Sequence, residues 1–227
     1  MNWLYLGLDI FTLLCPVAGS FDKRVNYLYS WKASFLATVI VAIPFLIWDH
    51  IFTHHGFWGF NPDYLIGIYL FELPLEEYLF FFVVPFACTF IYEVCKYYFR
   101  NYAMTWFNRV FYFAVPSYAI ILLFFPTYGY YTASVEITSA LALMFLILNN
   151  KKAKFAPIAF MFSLIPFFFV NGVLTGGMTN EPIVWYSEFE KVPFRLWAIP
   201  MEDVLYSFTL IVSNILIFER LKTRFEK

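Results

Sequence analysis

The chain has 227 residues, of which 62% are hydrophobic, 24% aromatic and only 14% charged, with a formal net charge of -1 at pH 7. One soluble core cannot bury this much apolar surface, so the composition predicts a single membrane domain with short loops. The near-zero net charge provides no basic surface for nucleic acid, which we exclude as a partner, and membrane lipid is the expected surrounding.

Seven apolar segments follow one another along the chain. A helix needs about 20 apolar residues to cross the hydrocarbon core of a bilayer, and some of the seven are shorter. In chain order the segments are residues 3–19, 33–48, 75–94, 110–126, 131–148, 155–171 and 196–218. The sequence therefore predicts an all-α integral membrane protein with seven transmembrane helices.

The basic residues of the loops indicate the orientation, because lysine and arginine concentrate in cytoplasmic loops. With seven spans, thirteen of the fifteen basic residues fall on one side: Lys23, Arg24, Lys32, Lys96, Arg100, Arg109, Lys151, Lys152, Lys154, Arg220, Lys222, Arg224 and Lys227. Only Lys191 and Arg195 fall on the other side. We expect a multi-pass protein of the cell membrane, with the N-terminus outside and the C-terminus in the cytoplasm.

The chain also matches itself at a displacement of 126 residues. Residues 74–82, with the sequence PLEEYLFFF, parallel residues 200–208, with the sequence PMEDVLYSF. A single helix separates the two copies, so both copies should cross the bilayer in the same direction, as a parallel 3+1+3 repeat. We expect a first three-helix unit over residues 1–95, a linker with the fourth helix over 96–130, and a second three-helix unit over 131–227.

Polar residues at matching positions of the two copies fall in the outer half of the predicted membrane. They are Glu76 and Glu77 with Glu202 and Asp203, Asp9 with Glu136, and Asp49 with Asn171. An ionised carboxylate facing lipid costs at least a few kcal/mol, so this group predicts a shared polar pocket between the copies. An acid two residues after Pro74 or Pro200 also suits the first turn of a helix, which is the simpler explanation for one copy alone.

The paired acids predict proton transfer to an apolar substrate. Burial and like charge oppose the ionisation of adjacent carboxyl groups, so one member of a pair can hold a proton and act as an acid beside a base. Phe80 and Tyr206 follow the two motifs by one helical turn, and aromatic faces at that depth stabilise a carbocation.

The doubled Pro-x-Glu-Glu/Asp motif, Asp9 in the first span and residues 171–176, with the sequence NGVLTG, resemble the membrane lycopene β-cyclases of the archaeal, fungal and actinobacterial type. In some bacteria the two halves are separate chains, and here they look fused. The resemblance implies cyclisation of the acyclic ψ ends of lycopene or a similar carotenoid to β-ionone rings, without net redox. It also implies other carotenoid-pathway enzymes as candidate partners.

The resemblance implies roles for the matching residues of this chain. Glu76, Glu77, Glu202 and Asp203 are the acid and base candidates, and the supporting or substrate-binding candidates are Asp9, Asp49, Glu136, Asn171, Phe80 and Tyr206. The second copy has Asp203 for Glu77, Tyr206 for Phe80 and Asn171 for Asp49, so the two half-sites are expected to be unequal.

Two other functions remain open at this point. A carotenoid end-group hydratase needs the same acid but admits water, and a 3+1+3 transporter also carries acids within the membrane. We expect no flavin, because no Gly-x-Gly-x-x-Gly follows a strand, and no other cofactor. We also expect no metal, because the only histidines, His50, His54 and His55, form one outer segment interpreted as interfacial.

Overall fold

The computed structural model describes residues 3–225, and these residues are mostly helical. Within them lie seven α-helices: α1 (Leu4–Gly19), α2 (Trp31–His54), α3 (Leu75–Tyr98), α4 (Thr105–Leu122), α5 (Tyr130–Leu148), α6 (Ala156–Leu174) and α7 (Glu202–Phe225). The predicted number of helices is confirmed for this part of the chain. Lys227, one of the basic residues assigned to the inner side, lies outside the described residues.

Most of the helices have the length and composition of membrane spans, but α4 does not meet both criteria. Five of them, α2, α3, α5, α6 and α7, are long and apolar enough to cross a bilayer, and α1 is a shorter apolar helix of 16 residues. Large apolar side chains cover their outer faces, including Ile43 and Ile165, which are 56% and 68% exposed. Such faces are stable against lipid and costly against water, so the chain is a multi-pass membrane protein.

Several helix boundaries differ from the sequence prediction. α7 begins at Glu202 and not at residue 196, because residues 195–200 form a hairpin whose apolar residue Ile199 is fully buried. Apolarity alone does not distinguish a short buried strand from a helix end. α2 continues to His54, so His50 and His54 are helical and not in a loop. α4 covers 105–122 and not 110–126.

Six short strands of the described residues connect the helices at one end of the bundle, and none of them was predicted from the sequence. β1 (Trp58–Phe60) pairs antiparallel with β4 (Val184–Tyr186), and Gly59 lies opposite Trp185 at the centre. A Cβ atom on Gly59 would lie 2.4 Å from the Trp185 ring, so this close approach requires glycine. Two hairpins lead into α3 and α7: β2 (Tyr69–Leu70) with β3 (Leu73–Pro74), and β5 (Arg195–Leu196) with β6 (Ile199–Pro200).

An ion-pair network joins the C-terminal ends of α3 and α7, at the end of the bundle opposite to the strands. Lys96 Nζ lies 3.1 Å from Glu93 Oε1 and 2.6 Å from Glu219 Oε1, and Lys222 Nζ lies 2.8 Å from Glu93 Oε2. The β1–β4 pair joins the segments that precede these two helices. α3 and α7 therefore begin at the same end of the bundle and run in the same direction.

Around this central pair, α1 packs against α3, α5 packs against α7, and α2 contacts both α3 and α7. α6 contacts α3 and more sparsely α1 and α7, and α4 packs on α5 and α6. The sparse contact between α1 and α6 leaves space between these helices, and a large cavity lies there.

Candidate active site

The site is a cavity of about 630 Å³ that is lined by α1, α3, α6 and α7 and bounded at one end by β1 and β4. Its walls are mainly apolar and aromatic. Of the acidic residues that the structure describes, three line it: Asp49 from α2, Glu77 from α3 and Asp203 from α7. Asn171, Phe80 and Tyr206, all predicted from the sequence, line it as well. The cavity is therefore an apolar chamber with carboxyl groups at one end.

The first half-site is built around Glu77. The hairpin β2–β3 ends at Pro74, whose extended backbone starts α3 and places Glu77 in the first turn, where the helix dipole favours an acid. The Tyr5 hydroxyl of α1 donates to Glu77 Oε2 at 2.5 Å. The Asp49 carboxyl group interacts directly with that of Glu77, and the Trp58 indole N–H donates to Asp49 Oδ1.

The two carboxyl groups of this half-site are removed from water, since Asp49 is 2% and Glu77 7% exposed. Two carboxyl groups in contact at such a site are most stable when they share one proton. The first half-site is thus suited to store a proton next to the cavity.

The second half-site is built around Asp203, which accepts three hydrogen bonds. The Tyr131 hydroxyl of α5 donates to Oδ1 at 2.6 Å, and Asn171 Nδ2 of α6 and the Tyr186 hydroxyl of β4 donate to Oδ2 at 2.7 and 3.0 Å. Burial raises the pKa of the Tyr186 phenol well above its ordinary value, and the charge of Asp203 raises it further. The phenol therefore keeps its proton and remains a donor. These three donors hold the Asp203 carboxyl group in place at the chamber wall.

The two half-sites correspond in sequence as well as in contacts. Tyr131 and Asp203 lie 126 residues after Tyr5 and Glu77. Asn171 lies 122 residues after Asp49, and the prolines inside α2 and α6, Pro44 and Pro166, have the same displacement. The shorter connection before α6 accounts for the difference of one helical turn. The two residues that were matched in the sequence therefore occupy equivalent places: Asp49 lies beside Glu77, and Asn171 lies beside Asp203.

The first acids of the two motifs have a different environment. Glu76 Oε1 accepts the backbone N–H of Ile66 at 2.6 Å, and Glu202 Oε1 accepts that of Val192 at the same distance. The Thr132 hydroxyl also donates to Glu202 Oε1, at 2.7 Å. Both acids are fully buried, and neither is among the residues that line the cavity. Each ties the loop before a motif helix to the start of that helix.

Asp9 and Glu136 also lie away from the cavity lining. Asp9 is 4% exposed and lies close enough to Glu76 and Glu77 to interact with their charges. Its Oδ2 atom lacks a hydrogen-bond partner within residues 3–225. Glu136 accepts a hydrogen bond from the Tyr128 hydroxyl at 2.6 Å in a half-exposed position. The two acids are one residue out of register, and on a helix one residue is a rotation of about 100°. Their environments differ accordingly.

Sequence reasoning missed Tyr5, Tyr131, Trp58 and Tyr186. The first two carried a usable signal, because they follow the same 126-residue displacement as the acids that they contact. In a chain with 17 tyrosines that signal is easily overlooked. Trp58 and Tyr186 face each other across β1 and β4, and only strand pairing brings them to the site.

The two half-sites meet in the same chamber. Tyr186 lies within electrostatic range of Glu77 as well as Asp203, and the ring centroids of Trp58 and Tyr131 are 5.2 Å apart. Within residues 3–225, no three His, Cys, Asp or Glu side chains are grouped to hold a metal ion. The fold and site define a membrane protein with a mainly apolar cavity that has buried carboxyl groups at one end.

Comparison with known protein families identifies the class more closely. The family model described as lycopene cyclase matches the chain twice, over residues 2–95 and 128–221. The chain belongs to the lycopene cyclase family, and membership implies a carotenoid cyclase that acts on a carotenoid substrate. Each end of the second match lies 126 residues after that of the first. No curated protein and no solved structure matches the chain.

Proposed function

We propose that this protein is a lycopene β-cyclase that converts the ψ ends of lycopene, or of a similar linear carotenoid, to β-ionone rings. The observation that carries the proposal is that Glu77 and Asp203, the second acids of the two motifs, line one apolar chamber. Each acid also accepts a hydrogen bond from a buried tyrosine at the matching position. An acid and a base facing one apolar ligand are what such a cyclisation requires.

The first half-site supplies the proton. The Glu77–Asp49 pair transfers it to the terminal double bond of the ψ end and leaves a tertiary carbocation. The next double bond of the chain attacks this cation, which forms the carbon–carbon bond of a six-membered ring and moves the positive charge into the ring. Phe80 and Tyr206 line the chamber beside the motifs, where aromatic faces stabilise the passing charge.

The second half-site completes the reaction. Asp203 removes the proton from the ring carbon that formed the new carbon–carbon bond, which is next to the cation, and the electron pair of that C–H bond becomes the double bond of the β ring. One proton is added and one is removed, so the reaction is an isomerisation without net redox. The apolar walls exclude water from the cation, which favours deprotonation over hydration. A hydratase is therefore the less favoured of the two carotenoid reactions.

We propose the parallel 3+1+3 repeat as the architecture behind this site. Residues 1–95 and 131–227 form the two three-helix units, residues 96–130 form the linker with α4, and the chain is a fused version of two-chain cyclases. The common direction of α3 and α7 and the two family matches support this repeat. The basic loops support an external N-terminus and a cytoplasmic C-terminus, which would place the acids at the outer end of the chamber.

The function is tested by expression in a host that accumulates lycopene. We expect pigment extracts to contain monocyclic or dicyclic β-carotenoids. Unchanged lycopene, with the protein verified in the membrane, would refute the cyclase proposal, and a hydroxylated acyclic product would identify a hydratase. Turnover by purified protein in detergent separates an enzyme from a transporter, because a transporter has no gradient to use there.

A further inference from the structure

A second cavity continues the acid-lined chamber along the bundle. It has a volume of about 570 Å³ and lies between α3 and α6. Its walls share Phe90, Ile91 and Pro166 with the chamber, so the two spaces adjoin. Val94 and Phe99 line it further along α3. We refer to the two adjoining spaces together, from Glu77 to Phe99, as the α3–α6 groove.

The groove has the length of a membrane span. Glu77 and Phe99 are 22 positions apart, which corresponds to about 33 Å along α3 at 1.5 Å per residue. The hydrocarbon core of a bilayer is about 30 Å thick. Acidic side chains line the groove only at its Glu77 end, among the residues that the structure describes. A long apolar molecule with one reactive end therefore matches both the length and the chemistry of the groove.

The groove is open to the membrane along its side. Phe11 and Leu14 of α1 line it and are 57% and 62% exposed, and Ile165 of α6 lines it and is 68% exposed. An apolar molecule can enter through this side directly from the lipid, without passing through water.

We propose that the α3–α6 groove binds a linear polyene lengthwise, with one end group at the acids and the opposite end near Phe99. This inference rests on the proposed cyclase function and specifies how its substrate lies. Only one end of the substrate reaches the acids in a binding event. Cyclisation of both ends then requires the monocyclic product to leave and re-enter in the reverse direction, so the monocyclic carotenoid is a released intermediate.

Plugging the far half of the groove tests this arrangement. Val94 is 17 positions after Glu77, about 25 Å along α3, and is distant from the acids. We would measure initial rates of purified protein with lycopene and with an apo-lycopenal, which has the same ψ end but is truncated at the other end. Val94→Trp should lower the rate with lycopene about tenfold or more, because the obstructed chain misplaces the reacting end. Its rate with the truncated substrate should stay within about twofold.

Two further variants make the result decisive. Ile165→Trp changes the facing wall of the groove at an exposed position and should have the same selective effect. Ile43→Trp is the matched control, since Ile43 is similarly exposed to lipid but lines neither cavity. We expect Ile43→Trp to turn over both substrates at the wild-type rate.

The outcomes separate the groove from the function. Unchanged lycopene turnover in Val94→Trp and Ile165→Trp would overturn the lengthwise arrangement. It would indicate that lipid chains, and not the substrate, occupy the far half of the groove. Equal loss with both substrates would overturn it too, because the effect would not depend on the far end of the polyene. Absence of turnover by the wild type with either substrate would instead refute the cyclase function itself.

Discussion

Glu77 and Glu76 are adjacent in sequence, yet the structure predicts opposite consequences for the same substitution. Glu77 lines the chamber and contacts Tyr5 and Asp49, whereas Glu76 accepts the backbone N–H of Ile66. A Glu→Gln exchange preserves side-chain size and one oxygen acceptor at either position, but removes the ability to carry a transferable proton. The two variants, Glu77→Gln and Glu76→Gln, therefore distinguish a catalytic role from a structural role for two acids in the same turn of α3.

For Glu77→Gln we expect kcat to fall by about a hundredfold to ten-thousandfold, the usual contribution of a positioned acid or base. That loss corresponds to about 3–5 kcal/mol of transition-state stabilisation. The amide oxygen of this variant still accepts from the Tyr5 hydroxyl, so we expect the protein to fold and to remain in the membrane. Substrate binding should change little, because the walls of the chamber remain apolar.

For Glu76→Gln we expect turnover per folded protein within about threefold of the wild type. The hydrogen bond from Ile66 persists, and the exchange of the buried carboxyl group for an amide costs about 1 kcal/mol of stability. For a chain of this size that cost lowers the melting temperature by about 2–4 °C.

Turnover is measured by chromatography of carotenoids formed by purified protein in detergent, and stability by thermal unfolding of the same samples. The reverse pattern, an inactive but stable Glu76→Gln and an active Glu77→Gln, would refute our assignment of the two acids. Loss of activity in both variants at wild-type stability would show that the motif pair acts as one unit.

Three further outcomes are expected. Tyr186→Phe removes one of the three hydrogen-bond donors to Asp203. It should lower kcat about tenfold or more, because a hydrogen bond to a charged group contributes about 1.5–3 kcal/mol. The raised pKa of Tyr186 keeps its phenol neutral, so the wild-type pH–rate profile should show no Tyr186 ionisation below about pH 10. Gly129→Ala places a Cβ atom 2.3 Å from the backbone of the loop before α7 and should lower the free energy of unfolding by about 1–3 kcal/mol, measured by thermal unfolding. Gly7→Ala is the control, because the space around Gly7 is open, and it should be neutral or stabilising. Glu93→Gln breaks the ion pair with Lys222 of α7 and the one with Lys96 of its own helix. It should lower unfolding stability by about 1–3 kcal/mol without changing kcat, and wild-type stability in this variant would contradict a structural role for the network.

The amino-acid sequence was sufficient for the helices and for the doubled motif. A helix in a membrane must satisfy its own backbone hydrogen bonds, so each span is a local apolar run that can be read without knowledge of its neighbours. The repeat at a displacement of 126 residues is also visible in the sequence alone, and it identified Glu77 and Asp203 as equivalent residues. The short hairpins were missed because a few apolar residues beside a helix resemble its continuation.

The tertiary structure decided which acid of each pair reaches the chamber. Neighbouring residues on a helix point about 100° apart, and only the packing of α1, α6 and the paired strands determines which direction faces the cavity. That packing turns Glu77 and Asp203 inward and leaves Glu76 and Glu202 bound to loop amides. The donors to Asp203 come from α5, α6 and β4, which lie far apart in the chain and meet only when the bundle assembles.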